Sequence, residues 1–175
     1  YIYTFMEKIS VVLCSKNEAK RIETCLQSII KNNPNEIIIV DGGSTDKTVE
    51  IAKKYATKIV ISQNSNLTKD RQIGLDSCKN NIVAMIDCDH ILEKDKLDKL
   101  LNEMLLNNFS IIQSQIEVLE KDFWTKAENF ALKITEIPGL QKRMLGTAPA
   151  LYNRDDLKEI SFDSNITKTI DDTDY

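Results

Sequence analysis

Two carboxylates follow an apolar stretch in the middle of the chain. Residues 82–86 form a predicted buried strand, and Asp87 and Asp89 come next with Cys88 between them. Where a strand ends and the backbone turns, two side chains one residue apart can face the same point. Mg²⁺ typically takes one or two carboxylates and completes its coordination with water and phosphate oxygens. The spacing predicts either a divalent-metal site for a phosphate-bearing ligand or a solvated acidic turn.

Short apolar stretches alternate with helical patterns along the first two thirds of the chain, and these elements must position the two carboxylates. The predicted strands cover residues 9–14, 37–40, 58–62 and 82–86, and the predicted helices cover about 22–30, a segment after 46, 67–78 and about 95–107. This alternation predicts an α/β fold, with a mainly parallel sheet flanked by helices in a single domain, residues 1–175. Ligands of such sheets bind at the carboxyl ends of the strands.

Three polar motifs fall at that edge of the predicted sheet. They are residues 15–18, 41–46 and 87–90, and within the second motif Ser44 or Asp46 can cap the following helix. After about residue 109 the pattern changes. It predicts an exposed strand over 111–118, an amphipathic helix over 123–134, a loop around 137–143 and a short strand over 147–152, a half that would carry the second substrate.

The composition is that of an ordinary globular protein. Hydrophobic residues make up 42% and charged residues 29% of 175 residues, and 23 Lys and Arg against 27 Asp and Glu give a net charge of −4. The lysines are spread along the chain, which argues against nucleic acid as a main partner. No apolar run approaches the ~20 residues that cross a bilayer, so the sequence predicts a soluble segment without a transmembrane helix.

The four cysteines show no metal-binding spacing. Cys14, Cys25 and Cys88 fall on predicted apolar faces or strand ends and are expected to be small buried hydrophobes. A reducing compartment follows as the simpler expectation. The predicted location is cytoplasmic, with peripheral membrane attachment possible only through parts of a protein outside this chain.

Five segments in order carry a resemblance to a known family. Residues 9–18 (ISVVLCSKNE), 39–48 (IVDGGSTDKT), 71–74 (RQIG), 86–89 (IDCD) and 171–175 (DDTDY) resemble family-two glycosyltransferases of the Rossmann-like GT-A fold. The resemblance implies an inverting transferase that moves a sugar from a nucleotide-diphosphate donor, a UDP-sugar first, to a hydroxyl of a glycan, lipid-linked or protein acceptor. It also implies a nucleotide-sugar-binding half at about 8–105 and an acceptor-binding half at about 106–175, incomplete at its C-terminus.

The resemblance assigns roles to individual residues. Asp89 would bind Mn²⁺ or Mg²⁺ directly, Asp87 would contact the ribose, the metal or a metal-bound water, and Asp172 would be the general base. Asp41 would accept a hydrogen bond from the nucleobase, and Arg71 would lie near the diphosphate. The remaining donor-site residues implied by the motifs are Ser15, Asn17, Glu18 and Gly43.

Several positions depart from the family pattern and leave alternatives open. Gly42 stands where a second Asp is common, so the base specificity stays open. His90 stands where the family is often acidic, and it could be a ligand, a phosphate donor or a solvated loop residue. Asp172 could belong to a solvated tail.

Three other functions are alternatives to the transferase. A non-catalytic nucleotide-sugar-binding module would keep the donor pocket without turnover. A sugar-phosphate nucleotidyltransferase is disfavoured, since no Gly-rich loop follows the first strand. A haloacid-dehalogenase-like phosphatase is also disfavoured, because its nucleophilic Asp follows the first strand, whereas the paired carboxylates here follow the fourth.

Overall fold

The computed structural model describes residues 7–63, 66–115 and 149–162. Over these ranges the predicted alternation of strands and helices is confirmed. The strands are β1 (Ile9–Ser15), β2 (Glu36–Asp41), β3 (Lys58–Ile61), β4 (Ile82–Met85), β5 (Ile111–Gln113) and β6 (Ala150–Asn153). The helices are α1 (Ile22–Ile30), α2 (Thr48–Ala52), α3 (Leu67–Ser77) and α4 (Lys96–Leu106).

The strands form one sheet in the order β3-β2-β1-β4-β6-β5. The first four strands in the chain are parallel, and β6 runs antiparallel to both β4 and β5. The expected mainly parallel sheet is therefore confirmed, with an antiparallel strand inserted towards one edge. The carboxyl ends of β1, β2 and β4 lie side by side because β1 pairs with both neighbours.

Helices cover both faces of this sheet, as the alternation predicted. Val11 and Leu13 of β1 belong to a core cluster with residues of α1, α2 and α4, whereas Val12 packs in a second cluster on the α3 side. No helix within the described ranges is long and apolar enough to span a bilayer. The predicted helix at 123–134 and the loop near 137–143 lie outside the described residues.

Helix α3 approaches the sheet at a glycine. A β-carbon placed on Gly74 would lie 2.3 Å from Val12 Cγ1 and 3.4 Å from Val40 Cγ2. Val12 is only 2% exposed, so its side chain has little room to move away. Gly74 of the RQIG motif is therefore required for helix-to-sheet packing.

We expect Gly74→Ala to destabilise the protein by about 1–3 kcal/mol, the usual cost of overpacking a core. The direction of the change in unfolding free energy is informative, because Gly→Ala within a helix otherwise stabilises a protein by up to about 1 kcal/mol. Urea unfolding measures the change, with Lys69→Ala on the exposed side of the same helix as control. An unfolding midpoint at or above the wild-type value would contradict the predicted clash.

A buried carboxylate holds the opposite edge of the sheet, where the parallel strands begin. Glu36 is 6% exposed, and its Oε1 accepts hydrogen bonds from Ser10 Oγ at 2.5 Å, from the Lys79 backbone N–H at 2.6 Å and from Asn80 Nδ2 at 3.4 Å. Burial alone would raise the pKa of Glu36, but these hydrogen bonds outweigh it and lower the pKa. The charged form of Glu36 thus ties the loop before β4 to the start of β2.

This lowered pKa predicts a pH dependence of stability. The stabilisation from the Glu36 carboxylate is fully present above the unfolded-state pKa of about 4.3 and is lost as pH falls through the lower folded-state pKa. We expect Glu36→Gln to be less stable than wild type by about 1–3 kcal/mol at pH 7, with the gap closing in acid. Denaturant melts between pH 7 and 3 measure this, with exposed Glu103→Gln as control. A gap that stays constant with pH would contradict it.

Candidate functional site

The site begins where β1 and β2 end side by side, with Ser15 opposite Asp41. Ser15 Oγ donates to Asp41 Oδ2 at 3.0 Å, and Ser44 Oγ donates to the same oxygen at 2.6 Å. The other oxygen, Oδ1, accepts from the backbone N–H groups of Gly43 at 3.1 Å and Ser44 at 2.7 Å. These four bonds match the acceptor capacity of a carboxylate.

Asp41 therefore organises the loop that follows it, and it is only 1% exposed. The nucleobase contact assigned to Asp41 stays a prediction, and it would require one serine hydroxyl to turn away. Gly43 has a φ of +88°, a conformation that favours glycine. Since a β-carbon there would meet only Gln63 Cγ at 3.9 Å, the backbone conformation explains this glycine better than crowding does.

Asn17 joins the loop after β1 to the loop after β2. Its backbone N–H donates to Ser44 Oγ at 2.8 Å, and its side-chain Oδ1 accepts from Thr45 N at 2.9 Å and from Thr45 Oγ1 at 3.2 Å. Asn17 holds a φ of +56°, which asparagine tolerates better than most residues. The structure thus gives Asn17 a bracing role, and its predicted donor contact stays a prediction.

Thr48 and Asp46 form a second brace between the same loops. Thr48 is fully buried, and its Oγ1 accepts from the Glu18 backbone N–H at 2.7 Å and donates to Asp46 Oδ1. Asp46 Oδ1 also accepts from Thr48 N at 2.9 Å, and its Oδ2 accepts from Ala19 N at 3.1 Å. The Thr48 hydroxyl contributes most to lowering the pKa of Asp46. The N-cap position of α2 is Lys47, and Asp46, one of the two predicted caps, accepts from the first backbone N–H of the helix from one residue further out.

The Glu18 carboxylate is engaged within its own loop. Its two oxygens accept from Arg21 Nε at 2.8 Å and Arg21 Nη2 at 2.9 Å, a bidentate pair. Its side chain is 20% exposed. The predicted contact between Glu18 and the nucleoside stays a prediction, because the carboxylate would have to serve both partners.

At the end of β4 the structure brings together two residues that the motifs placed far apart in sequence. Arg71 Nη2 of α3 lies 3.6 Å from Asp87 Oδ1, and the Arg71 side chain is 16% exposed. Burial raises the pKa of the Cys14 thiol and of the Tyr152 hydroxyl, and the nearby Arg71 charge opposes the rise at both. Arg71 therefore supplies positive charge beneath the ends of β1 and β4.

The paired carboxylates form an open arrangement. The Asp89 side chain is 56% exposed and that of Asp87 is 36% exposed. Across the described part of the chain, no group of three or more His, Cys, Asp or Glu is placed to enclose a metal. Two hard oxygen donors facing solvent suit Mg²⁺ or Mn²⁺, whose other positions would be filled by water and ligand oxygens. The residues fit the predicted cation, and metal binding itself stays a prediction.

The residues around these carboxylates point inward. Cys88 is 4% exposed and its Sγ lies 3.3 Å from the Cys14 backbone oxygen, so it packs into the sheet as expected. All four cysteines are free thiols. His90 is 18% exposed at its side chain, and its Nδ1 accepts from the Asp87 backbone N–H at 3.3 Å. The His90 side chain is therefore only partly exposed in its loop, and the roles predicted for it stay predictions.

A cavity of about 530 Å³ lies over the α3 side of β4 and β6. Met85, Tyr152 and Phe162 give it an apolar lining, and it extends past Asn81 and Arg154 to the edge where β4 begins. Among the residues that the structure describes, no predicted site residue lines this cavity. The cavity adjoins the candidate site at Tyr152, because the charges of Arg71 and Asp87 lie close enough to influence the Tyr152 hydroxyl.

Asp172, the predicted general base, lies outside the described residues with the whole 171–175 motif. Most of the predicted acceptor-binding half, about 106–175, also lies outside them. Thr48 was missed by the sequence reasoning, although it belongs to the IVDGGSTDKT motif. The only available signal was its place in that motif, since a threonine at a helix start is ordinary.

Comparisons with known proteins agree with this architecture. An uncharacterized glycosyltransferase of Rickettsia bellii is 38% identical over 94 residues, which cover 54% of this chain and 32% of the relative. The chain thus matches about a third of that relative's length.

Two solved structures share the fold. The mannosyltransferase PcManGT from Pyrobaculum calidifontis, in complex with GDP-Man and Mn²⁺, has a TM-score of 0.72 at 16% identity and covers 89% of this chain and 47% of its own. S. aureus TarS 1-349 in complex with UDP has a TM-score of 0.68 at 19% identity. The match covers 93% of this chain and 52% of the TarS chain. The expected GT-A fold is confirmed. Because the profile of glycosyl transferase family 2 matches residues 10–161, the chain belongs to that family.

Proposed function

We propose that this chain is the catalytic part of an inverting, metal-dependent glycosyltransferase. It would move a sugar from a nucleotide-diphosphate donor, in the first instance a UDP-sugar, to an acceptor hydroxyl. The family supports glycosyl transfer, and the open Asp87–Asp89 pair supports the metal dependence. The acceptor class, whether glycan, lipid-linked or protein, is left to experiment.

One observation carries the proposal. Arg71 comes from α3 and Asp87 from the end of β4, yet their charged groups lie 3.6 Å apart at the carboxyl edge of the sheet. A guanidinium beside the first of the two carboxylates suits a metal-bound diphosphate, since the guanidinium would bind phosphate oxygens while the carboxylates would bind the metal. The low exposure of the Arg71 side chain, 16%, favours this role over that of an exposed helix arginine.

Each site residue would have its own role in the reaction. Asp89, with Asp87, would hold Mn²⁺ or Mg²⁺, which when bound neutralises the charge of the leaving diphosphate. Arg71 would bind the same diphosphate, and the braced loops after β1 and β2 would form the floor for the nucleoside. Asp172 would take the proton from the acceptor hydroxyl as it attacks, because a sugar hydroxyl is a poor nucleophile until that proton leaves.

The donor base is proposed from two kinds of support. The family resemblance assigns the residue at Asp41 to uracil, and TarS is a structural neighbour in complex with UDP. PcManGT is in complex with GDP-Man, so a guanine donor is the main alternative. Within the cell we propose a cytoplasmic, reducing location, because all four cysteines are free thiols.

Donor hydrolysis tests the proposal without knowledge of the acceptor. The purified protein would be incubated with UDP-, GDP- and dTDP-sugars with Mn²⁺ or with EDTA, and the first-formed sugar would be followed by NMR. We expect metal-dependent release of one nucleotide and a sugar of inverted anomeric configuration. Retained configuration would contradict inversion, and pyrophosphate release from a nucleoside triphosphate and a sugar phosphate would indicate a nucleotidyltransferase. Nucleotide binding without any turnover would indicate a binding module.

A further inference from the structure

The peptide groups of Asp87 are held by two side chains that the proposed chemistry does not use. The Asp87 N–H donates to His90 Nδ1 at 3.3 Å, and the Asp87 carbonyl accepts from the His90 backbone N–H at 3.1 Å. Cys25 of α1 brings its Sγ to 3.6 Å from that same carbonyl oxygen. The turn from Asp87 to His90 is therefore closed by a backbone hydrogen bond, and the side chains of His90 and Cys25 contact its peptide groups.

The orientation of His90 follows from these bonds. Nδ1 accepts a hydrogen bond from the Asp87 backbone N–H, and this geometry suits the neutral tautomer whose proton is on Nε2. Asp89 Oδ1 lies 3.9 Å from Nδ1, which is beyond hydrogen-bond distance, so His90 does not hydrogen-bond to that carboxylate. The imidazole is mostly buried at 18% exposure whereas Asp89 is 56% exposed, so one side chain supports the turn and the other faces the solvent.

The turn is also fastened to the core beneath it. Cys25 is 1% exposed and Cys88 is 4% exposed, so both thiols act from inside the protein. Cys88 Sγ lies 3.3 Å from the Cys14 backbone oxygen at the end of β1. A ligand site held in this way loses little conformational freedom when the ligand binds.

We propose that His90 is a positioning residue that holds the turn carrying Asp87 and Asp89 in its ligand-binding shape before any ligand arrives. The expected consequence of this positioning, tighter metal binding by Asp87 and Asp89, rests on the proposed function. Groups that orient metal ligands from behind typically contribute about 10–100-fold to metal affinity. The acceptor atom at Nδ1, rather than the ring as a whole, is the group required.

Three substitutions separate the loss of the acceptor at the Nδ1 position from the loss of the imidazole ring. His90→Ala removes the acceptor, His90→Gln moves it one bond outward, and His90→Asn keeps an oxygen at nearly the Nδ1 position. We expect Ala and Gln to weaken Mn²⁺ binding, measured by the EPR signal of free Mn²⁺ with UDP present, by about 10–100-fold. We expect Asn to stay close to wild type. Thermal melts in parallel confirm that all three variants are folded.

A second readout needs no ligand. Amide hydrogen exchange of Asp87 should be slow in wild type and in His90→Asn, and faster in His90→Ala and His90→Gln. Unchanged exchange in His90→Ala would overturn the inference, and so would His90→Asn being impaired as strongly as Ala in Mn²⁺ binding. If the wild type binds no Mn²⁺ with any nucleotide, the proposed function fails and the metal-affinity role fails with it, whereas the exchange pattern still reports whether His90 holds the turn.

Discussion

Asp89→Ala is expected to lower metal-dependent turnover of the nucleotide-sugar donor by about a thousandfold or more. Metal stabilisation of a leaving phosphate is worth several kcal/mol, and each 1.36 kcal/mol is a factor of ten in rate. Asp89 is the more exposed of the two carboxylates, so its oxygens have the better access to a bound cation. The effect should appear in donor hydrolysis and in transfer alike.

The control for this prediction is Asp98→Asn, which removes an exposed carboxylate from α4, away from the motifs. It should leave turnover near the wild-type value. Raising the Mn²⁺ concentration should partly restore Asp89→Asn, which keeps one oxygen ligand, and should restore Asp89→Ala less. Wild-type turnover in a folded Asp89→Ala protein would rule out Asp89 as a metal ligand.

Asp172→Asn is expected to lower transfer to the acceptor by about 10²–10⁴-fold, the usual contribution of a positioned general base. Donor binding should be unchanged, because Asp172 is proposed to act on the acceptor hydroxyl and not on the nucleotide. Asn preserves the size and much of the hydrogen bonding of Asp, so the loss should appear in kcat and not in the affinity for the donor.

The matched control is Asp174→Asn, two residues further along the same acidic segment. A solvated acidic tail would make the two substitutions equivalent, whereas a catalytic base at 172 makes only the first severe. Equal, small effects of both substitutions on kcat would contradict the assignment of Asp172.

The order of strands and helices could be predicted because each element carries its own signal. Buried parallel strands appear as continuous apolar runs, and α4 shows its helical period in Leu97, Leu100, Leu101 and Met104. The meeting of Arg71 and Asp87 could be anticipated only through the family motifs. Their spacing in sequence contains no information on how closely α3 packs against β1, which depends on Gly74.

The detailed roles of the polar side chains could not be predicted from the sequence. Asp41 and Asn17 were assigned to the ligand, yet the structure uses their oxygens first to brace the loops after β1 and β2. A sequence pattern identifies which side chains can accept hydrogen bonds but not which nearby donors they meet. His90 shows the same gap, because its partner is a backbone N–H three residues away.

Calorimetric titration of the wild-type protein with UDP, GDP and dTDP, each in Mn²⁺ and in EDTA, tests the central claim most directly. The account predicts that one nucleotide binds in Mn²⁺, that the binding disappears in EDTA, and that Asp89→Ala abolishes it while Asp98→Asn does not. Equal binding with and without the metal, or no binding of any of the three nucleotides to the folded protein, would contradict a metal-diphosphate site at the end of β4.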